Sequence, residues 1–206
     1  MIRFNTEFPS LLEGFELETL EAHPHSTYAL SRELSLIYLN PAWFRFAEEN
    51  AGEPAISKRF GVGTPAGAAI PEPLREFYSG AYQRALQTGG IWHHEYECSS
   101  PDVYRRYHQT VYPFHNRGGL LVVNSLVQKQ PHSPETHAAS PPHESRYTGP
   151  EGLIIQCCHC RCVQRAAEPD LWDWVPAWVK RMPLKATAGI CPICYEYYWT
   201  HRAQPG

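Results

Sequence analysis

The segment QCCHCRCVQR, residues 156–165, places Cys157, Cys158, Cys160 and Cys162 within six residues, and ICPICYEYYW adds Cys191 and Cys194. Two C-x-x-C turns result, Cys157 with Cys160 and Cys191 with Cys194, and residues 161–190 lie between them. A C-x-x-C turn is tight enough to aim both sulfurs at one ion, and structural zinc takes four tetrahedral ligands, commonly as two such pairs. The spacing therefore predicts a metal site made of Cys157, Cys160, Cys191 and Cys194, with zinc as the ion and a small helical insert closing the gap. Cys158, inside the first turn, is expected to point away from that ion. A looser frame using Cys157 or Cys158 with Cys162 stays open, as does His159 as a substitute ligand. The first frame is preferred because it mirrors the second pair.

Other bounds favour metal over disulfides. The chain has 206 residues, enough for one or two domains with a core. Its net charge of -3 gives no global basic field to draw in nucleic acid or anionic membrane. The longest apolar runs, such as GLLVVNSLV, fall far short of the roughly 20 residues of a membrane span. The opening MIRFNTEFPSLLEG lacks the apolar core and small-residue cleavage site of a signal peptide. These features predict a cytoplasmic protein without a membrane partner, and in a reducing compartment clustered thiols serve metal or redox chemistry.

Composition divides the chain. Residues 129–150, KQPHSPETHAASPPHESRYTGP, hold many Pro, His and Ser and almost no aliphatic residues, the composition of a flexible linker. Beyond it lie six of the seven cysteines and four of the six tryptophans. Before it, STYALSREL and SLIYLNP read as two strands, and PAWFRFAEEN as a helix with Asn40 as N-cap and Pro41 in the first turn. The segment EPLREFYSGAYQRALQTGG carries Leu74, Phe77, Tyr78, Ala81, Tyr82, Ala85 and Leu86 at helical spacing and stops at Gly89-Gly90. IWHHEYECS, VYRRYHQTVYPF and GLLVVNSLV read as three further strands.

That order, the YLNPAWFRFAEEN segment after the second strand and the closing meander resemble a PAS domain. The resemblance implies an α+β fold, a five-stranded antiparallel sheet with helices on one face, and a sensor or interaction module whose pocket holds haem, flavin, a metabolite or nothing. The domains expected are an N-terminal extension at 1–17, the PAS domain at 18–128, the linker at 129–150 and a four-cysteine zinc module at 151–206.

Strand alternation puts Trp92, His94, Tyr96 and Cys98 on the more apolar face of IWHHEYEC, facing the core or pocket, and Ile91, His93, Glu95 and Glu97 on the other. With Arg106, which an anionic ligand can use, these four are the candidate ligand contacts. The resemblance disfavours haem, because helix 72–88 carries no histidine, and disfavours flavin photochemistry, because GVGTPAGAAIP lacks the cysteine of that pattern.

The C-terminal segments CCHCRCVQR, WDWVPAWVKRM and AGICPICYEYYW resemble a short module appended to bacterial PAS and response-regulator proteins. Cys157, Cys160, Arg161, Val163, Trp174, Gly189, Ile190, Cys191, Pro192 and Cys194 carry that resemblance, which implies a metal-stabilised protein module. Four thiolates leave no open position for catalysis, and His93-His94-Glu95 lies too far upstream to complete a deaminase pattern with CPIC. The expectation is a non-enzymatic bacterial sensory or adaptor protein, its PAS domain reading a ligand or partner and pairing as a homodimer, its zinc module docking a protein effector. Two alternatives stay open. One is a zinc module that touches nucleic acid through Lys180, Arg181 and Lys185; the other is a thiol-based redox or metal sensor.

Overall fold

The computed structural model describes residues 3–50, 52–133, 135 and 138–200. Two compact units divide it, the first made of residues 1–95 and 108–126, the second of 96–107 and 127–206.

The first unit holds α1 (Phe8–Leu11), α2 (Leu17–Ala22), β1 (Ser26–Ser31), β2 (Leu36–Leu39), α3 (Pro41–Glu49), α4 (Ala55–Arg59) and α5 (Glu72–Thr88). Three strands follow, β3 (Trp92–Glu97), β4 (Val103–Pro113) and β5 (Gly119–Pro131), of which residues 96–97, 103–107 and 127–131 are counted with the second unit. The sheet order is β2-β1-β5-β4-β3. The antiparallel pairing of β1 with both β2 and β5 puts the first hairpin beside the last strand. This is the PAS topology. Asn40 secures the β2–α3 junction, its Oδ1 accepting from the N–H groups of Trp43 and Thr27 at 3.0 Å each. Helix α5 buries the seven apolar residues its periodicity predicts and ends at Gly89, whose φ of 74° suits glycine.

Residues 3–17 do more than extend the domain. Phe8 is fully buried, stacks on Tyr38 and joins Leu20, Ala29, Phe114 and Leu121 in one apolar cluster. Across the sheet from Ala29, by strand alternation, Tyr28 turns the other way toward α5, where its hydroxyl lies 3.2 Å from that of Tyr82.

The second unit contains α6 (Glu144–Tyr147), β6 (Ile154–Cys157), β7 (Val163–Gln164), β8 (Trp172–Asp173), α7 (Pro176–Lys180), β9 (Ala186–Gly189) and α8 (Pro192–Trp199). Its sheet order is β8-β7-β6-β9. The insert between the cysteine pairs is therefore largely strand and turn, and its one helix has five residues. Pro169, Pro176 and Pro183 punctuate it too closely for a longer helix. The segment expected to be linker is also ordered in part. Strand β5 runs on to Pro131, Ser140 donates its N–H to the Trp174 carbonyl, and Tyr147 is buried with Ile154, Val163, Val175 and Trp178. Low aliphatic content concealed that anchor, because one tyrosine supplies the buried surface.

Candidate metal centre

The second unit's sheet assembles the site. Strands β6 and β9 pair in parallel with Cys157 opposite Gly189, so the chain just past each strand end carries one C-x-x-C turn. In the first turn the Cys157 N–H donates to the Cys162 carbonyl and the Arg161 N–H to the Cys157 carbonyl. Arg161 takes the left-handed conformation, φ 66°, that lets the chain double back. In the second, Cys191 is the N-cap of α8 and Pro192 fills the first helical position, where a missing N–H costs nothing.

One metal-ligating atom from each of Cys157, Cys160, Cys191 and Cys194 lies within 4.8 Å of the other three. Cys157, Cys191 and Cys194 are buried, and Cys160 is half-buried. The sulfurs of Cys160 and Cys191 stand 3.7 Å apart. That is nearly twice a disulfide bond, and close to the roughly 3.8 Å edge of a tetrahedron whose sulfurs sit about 2.3 Å from a central ion. The Cys191 N–H points at the Cys157 sulfur, 3.4 Å away, as backbone donors do around bound thiolates. Hydrogen bonds from the Cys160, Cys191 and Cys194 thiols hold the Cys157 thiol far below its ordinary value, while sharing with Cys157 pushes those three up. A divalent cation at this point would bind all four sulfurs as thiolates. The four residues fit a divalent soft-to-borderline metal ion.

The neighbouring candidates fall outside the tetrad. Burial pushes the Cys158 thiol up to about 12, and its N–H is spent on the Gly189 carbonyl. His159 packs edge-on against Tyr198 with Nδ1 2.9 Å from the Tyr198 hydroxyl, a half-buried place rather than a solvent-facing one, and burial lowers its pKa. Cys162 lines, with Cys160, Cys191 and Cys194, a cleft of about 560 Å³ whose other wall includes Leu171, Trp172 and Ile193.

A polar clamp fixes the insert. Arg165 donates from Nε and Nη2 to the two oxygens of Asp173 at 2.9 Å each, pinning β7 to β8. Tyr147 adds a hydroxyl bond to Asp173 Oδ2 at 2.9 Å. The Arg165 guanidinium, with Tyr147, holds the Asp173 carboxyl below the usual carboxylate range. Residues this far apart in function and type give no motif, so the sequence did not single them out.

The candidate ligand contacts of the first sheet are placed as follows. Trp92 and His94 are half-buried and stack at 5.5 Å, and both lie against Phe77 and Tyr78 of α5. Tyr96 is half-buried and stacks on Tyr107, whereas Cys98 and Arg106 are exposed. Deeper in the first unit runs a line that the sequence did not indicate. The Tyr82 hydroxyl donates to Gln109 Oε1 at 3.0 Å, Gln109 Nε2 to Asn124 Oδ1 at 2.9 Å, and Asn124 Nδ2 to the Ser26 carbonyl at 3.3 Å.

No family model matches the sequence, and no curated protein matches it. Solved structures do show likeness. A domain of an HTR-like protein from Haloarcula marismortui is 17% identical, with 52% of this chain and 100% of that chain covered and a TM-score of 0.37. The photoactive yellow protein domain of the sensor histidine kinase Ppr from Rhodospirillum centenum is 12% identical, with 55% and 94% covered and a TM-score of 0.39. The PAS domain of nitrogen regulation protein NR(II) from Vibrio parahaemolyticus is 16% identical, with 54% and 99% covered and a TM-score of 0.32. The fold itself rests on the strand order and connections: a five-stranded antiparallel sheet in the order of a PAS domain, and a four-cysteine group among the residues of the second unit. Among the described residues, no helix is long and apolar enough to cross a membrane.

Proposed function

We propose that this protein is a non-enzymatic sensory or signalling adaptor, with a PAS module as its input and a zinc-held C-terminal module as its docking element. The observation that carries the reading is the buried tetrad of Cys157, Cys160, Cys191 and Cys194. Four sulfur ligands close the coordination sphere and leave no position for substrate, so the ion's work is structural. Zinc binding of this kind is worth about 10–16 kcal/mol at pH 7, most of it realised as folding. The module depends on it, because its own apolar cluster is small.

A docking role is supported by what the metal-held helix exposes. Ile193 is 81% exposed, with Tyr195 and Tyr197 also outward, and Leu171 adds an apolar surface nearby in the same unit. Aromatic and aliphatic residues left open this way favour protein contact. Lys180, Arg181 and Lys185 are exposed too, but Met182 and the fully open Leu184 interrupt them, which fits a protein-facing edge better than a phosphate-tracking groove. One observation favours a second reading, a thiol redox sensor: Cys162 shares the cleft with three of the four proposed ligands.

Elemental analysis of protein purified without added metal, beside a Cys191→Ser variant, tests the proposal. Near one zinc per chain, lost in the variant together with protease resistance of residues 138–200, is the expected result. Iron, or oxidised metal-free cysteines, in the wild type would overturn it. Zinc release by mild peroxide, reversed by a thiol, selects the second reading.

A further inference from the structure

We propose that His93 and His108 form a binding site for a divalent transition-metal ion on the face of the five-stranded sheet opposite α5, using none of the cysteines. The two side chains come from adjacent strands, β3 and β4, and His93 Nδ1 stands 3.2 Å from His108 Nε2. The rings tilt by 34° with centroids 5.3 Å apart, so the two nitrogens converge while the rings diverge behind them. Imidazole nitrogens bound to one ion lie about 2.0–2.1 Å from it. At angles between square and tetrahedral that sets them about 2.9–3.4 Å apart, the range in which this pair falls.

Two neighbours complete a coordination environment. Thr110 Oγ1 is 3.3 Å from the same His93 Nδ1, which marks that nitrogen as the point where donors gather. Glu95 Oε1 is 3.9 Å from His108 Nδ1, the nitrogen turned away from the pair. That is beyond hydrogen-bond reach, so Glu95 supplies a nearby negative charge that favours a bound cation. A metal ion replaces the proton that otherwise bridges the two rings. His93 is exposed and His108 half-buried, so an ion has a path in and water fills its remaining positions. Imidazole donors select zinc, nickel or copper over magnesium and calcium. Glu95 acts through its charge.

The test is a calorimetric titration of the zinc-loaded full chain with Ni2+. One equivalent is expected to bind, with magnesium in excess making no difference. His93→Gln and His108→Gln should each weaken that binding by about tenfold or more, and Glu95→Gln by a smaller factor with the stoichiometry kept. His25→Gln, away from the pair, should leave it unchanged. Amide resonances read the same site without any variant: Ni2+ should broaden His93, His108 and Thr110 first. Binding that survives both histidine variants, broadening centred elsewhere, or Ni2+ uptake matched mole for mole by zinc release would overturn the site.

Discussion

Cys157 and Gly189 face each other across two parallel strands, although 31 residues separate them in the chain. That pairing is what turns two sequence motifs into one centre. A side chain at 189 has no room: a Cβ there would sit 2.4 Å from Ile155 Cγ2. Gly189→Ala must push β9 from β6. The expected cost is about 1–3 kcal/mol in urea unfolding of the zinc-loaded protein, with faster loss of zinc to a chelator. Unchanged zinc retention would refute this role for the strand pairing.

Arg161 holds a left-handed backbone, φ 66°, directly after Cys160. Residues with a Cβ are strained there by about 1–2 kcal/mol, and glycine is not. Arg161→Gly should therefore keep one zinc per chain and raise stability, less the entropy that glycine adds to the unfolded chain. A net gain near 0.5–1 kcal/mol is expected. A loss of zinc would show that the arginine side chain, and not its backbone, supports the turn.

Glu97 belongs to the second unit and accepts a 2.6 Å hydrogen bond from Ser99. Burial raises its pKa from 4.5 to about 7, the Ser99 bond opposing this and the Cys157 charge adding a smaller push. Between those two pH values the folded chain holds a proton that the unfolded chain has released, so stability falls as pH rises through the window and levels off above it. Glu97→Gln removes the effect. Its urea midpoint relative to wild type should be higher at pH 8 than at pH 6, both forms zinc-loaded. An equal difference at the two pH values would contradict the assignment.

Tyr82 is 2% exposed and its hydroxyl joins Tyr28 to Gln109 inside the first unit. Tyr82→Phe keeps the ring and takes away the donor to Gln109 Oε1. The cost should be about 1–3 kcal/mol, read from denaturant melts, with the zinc content unaffected. A neutral substitution would mean that water replaces the hydroxyl and the line is solvated.

Local chemistry made much of this legible. The cap at Asn40, the buried stripe of α5 and its glycine stop were all written at helical spacing, and the structure keeps each of them. The four clustered cysteines were legible for the same reason, since a C-x-x-C turn fixes its two sulfurs over four residues. The length of the gap between the cysteine pairs suggests a small helical insert, whereas Pro169, Pro176 and Pro183 break it into strands, turns and one five-residue helix.

What the sequence alone determined was therefore what lies within a turn or two of itself: elements, caps, the two cysteine knuckles and the outward alternation of His93 with Glu95. What only the tertiary structure decided was register. Which residue stands opposite Gly189, that His108 meets His93, that Arg165 reaches Asp173 and that Tyr82, Gln109 and Asn124 align all depend on strand pairing and helix packing. A one-residue slip reverses every side chain of a strand, so such contacts are set by the packing of the whole sheet and leave no mark in any single segment.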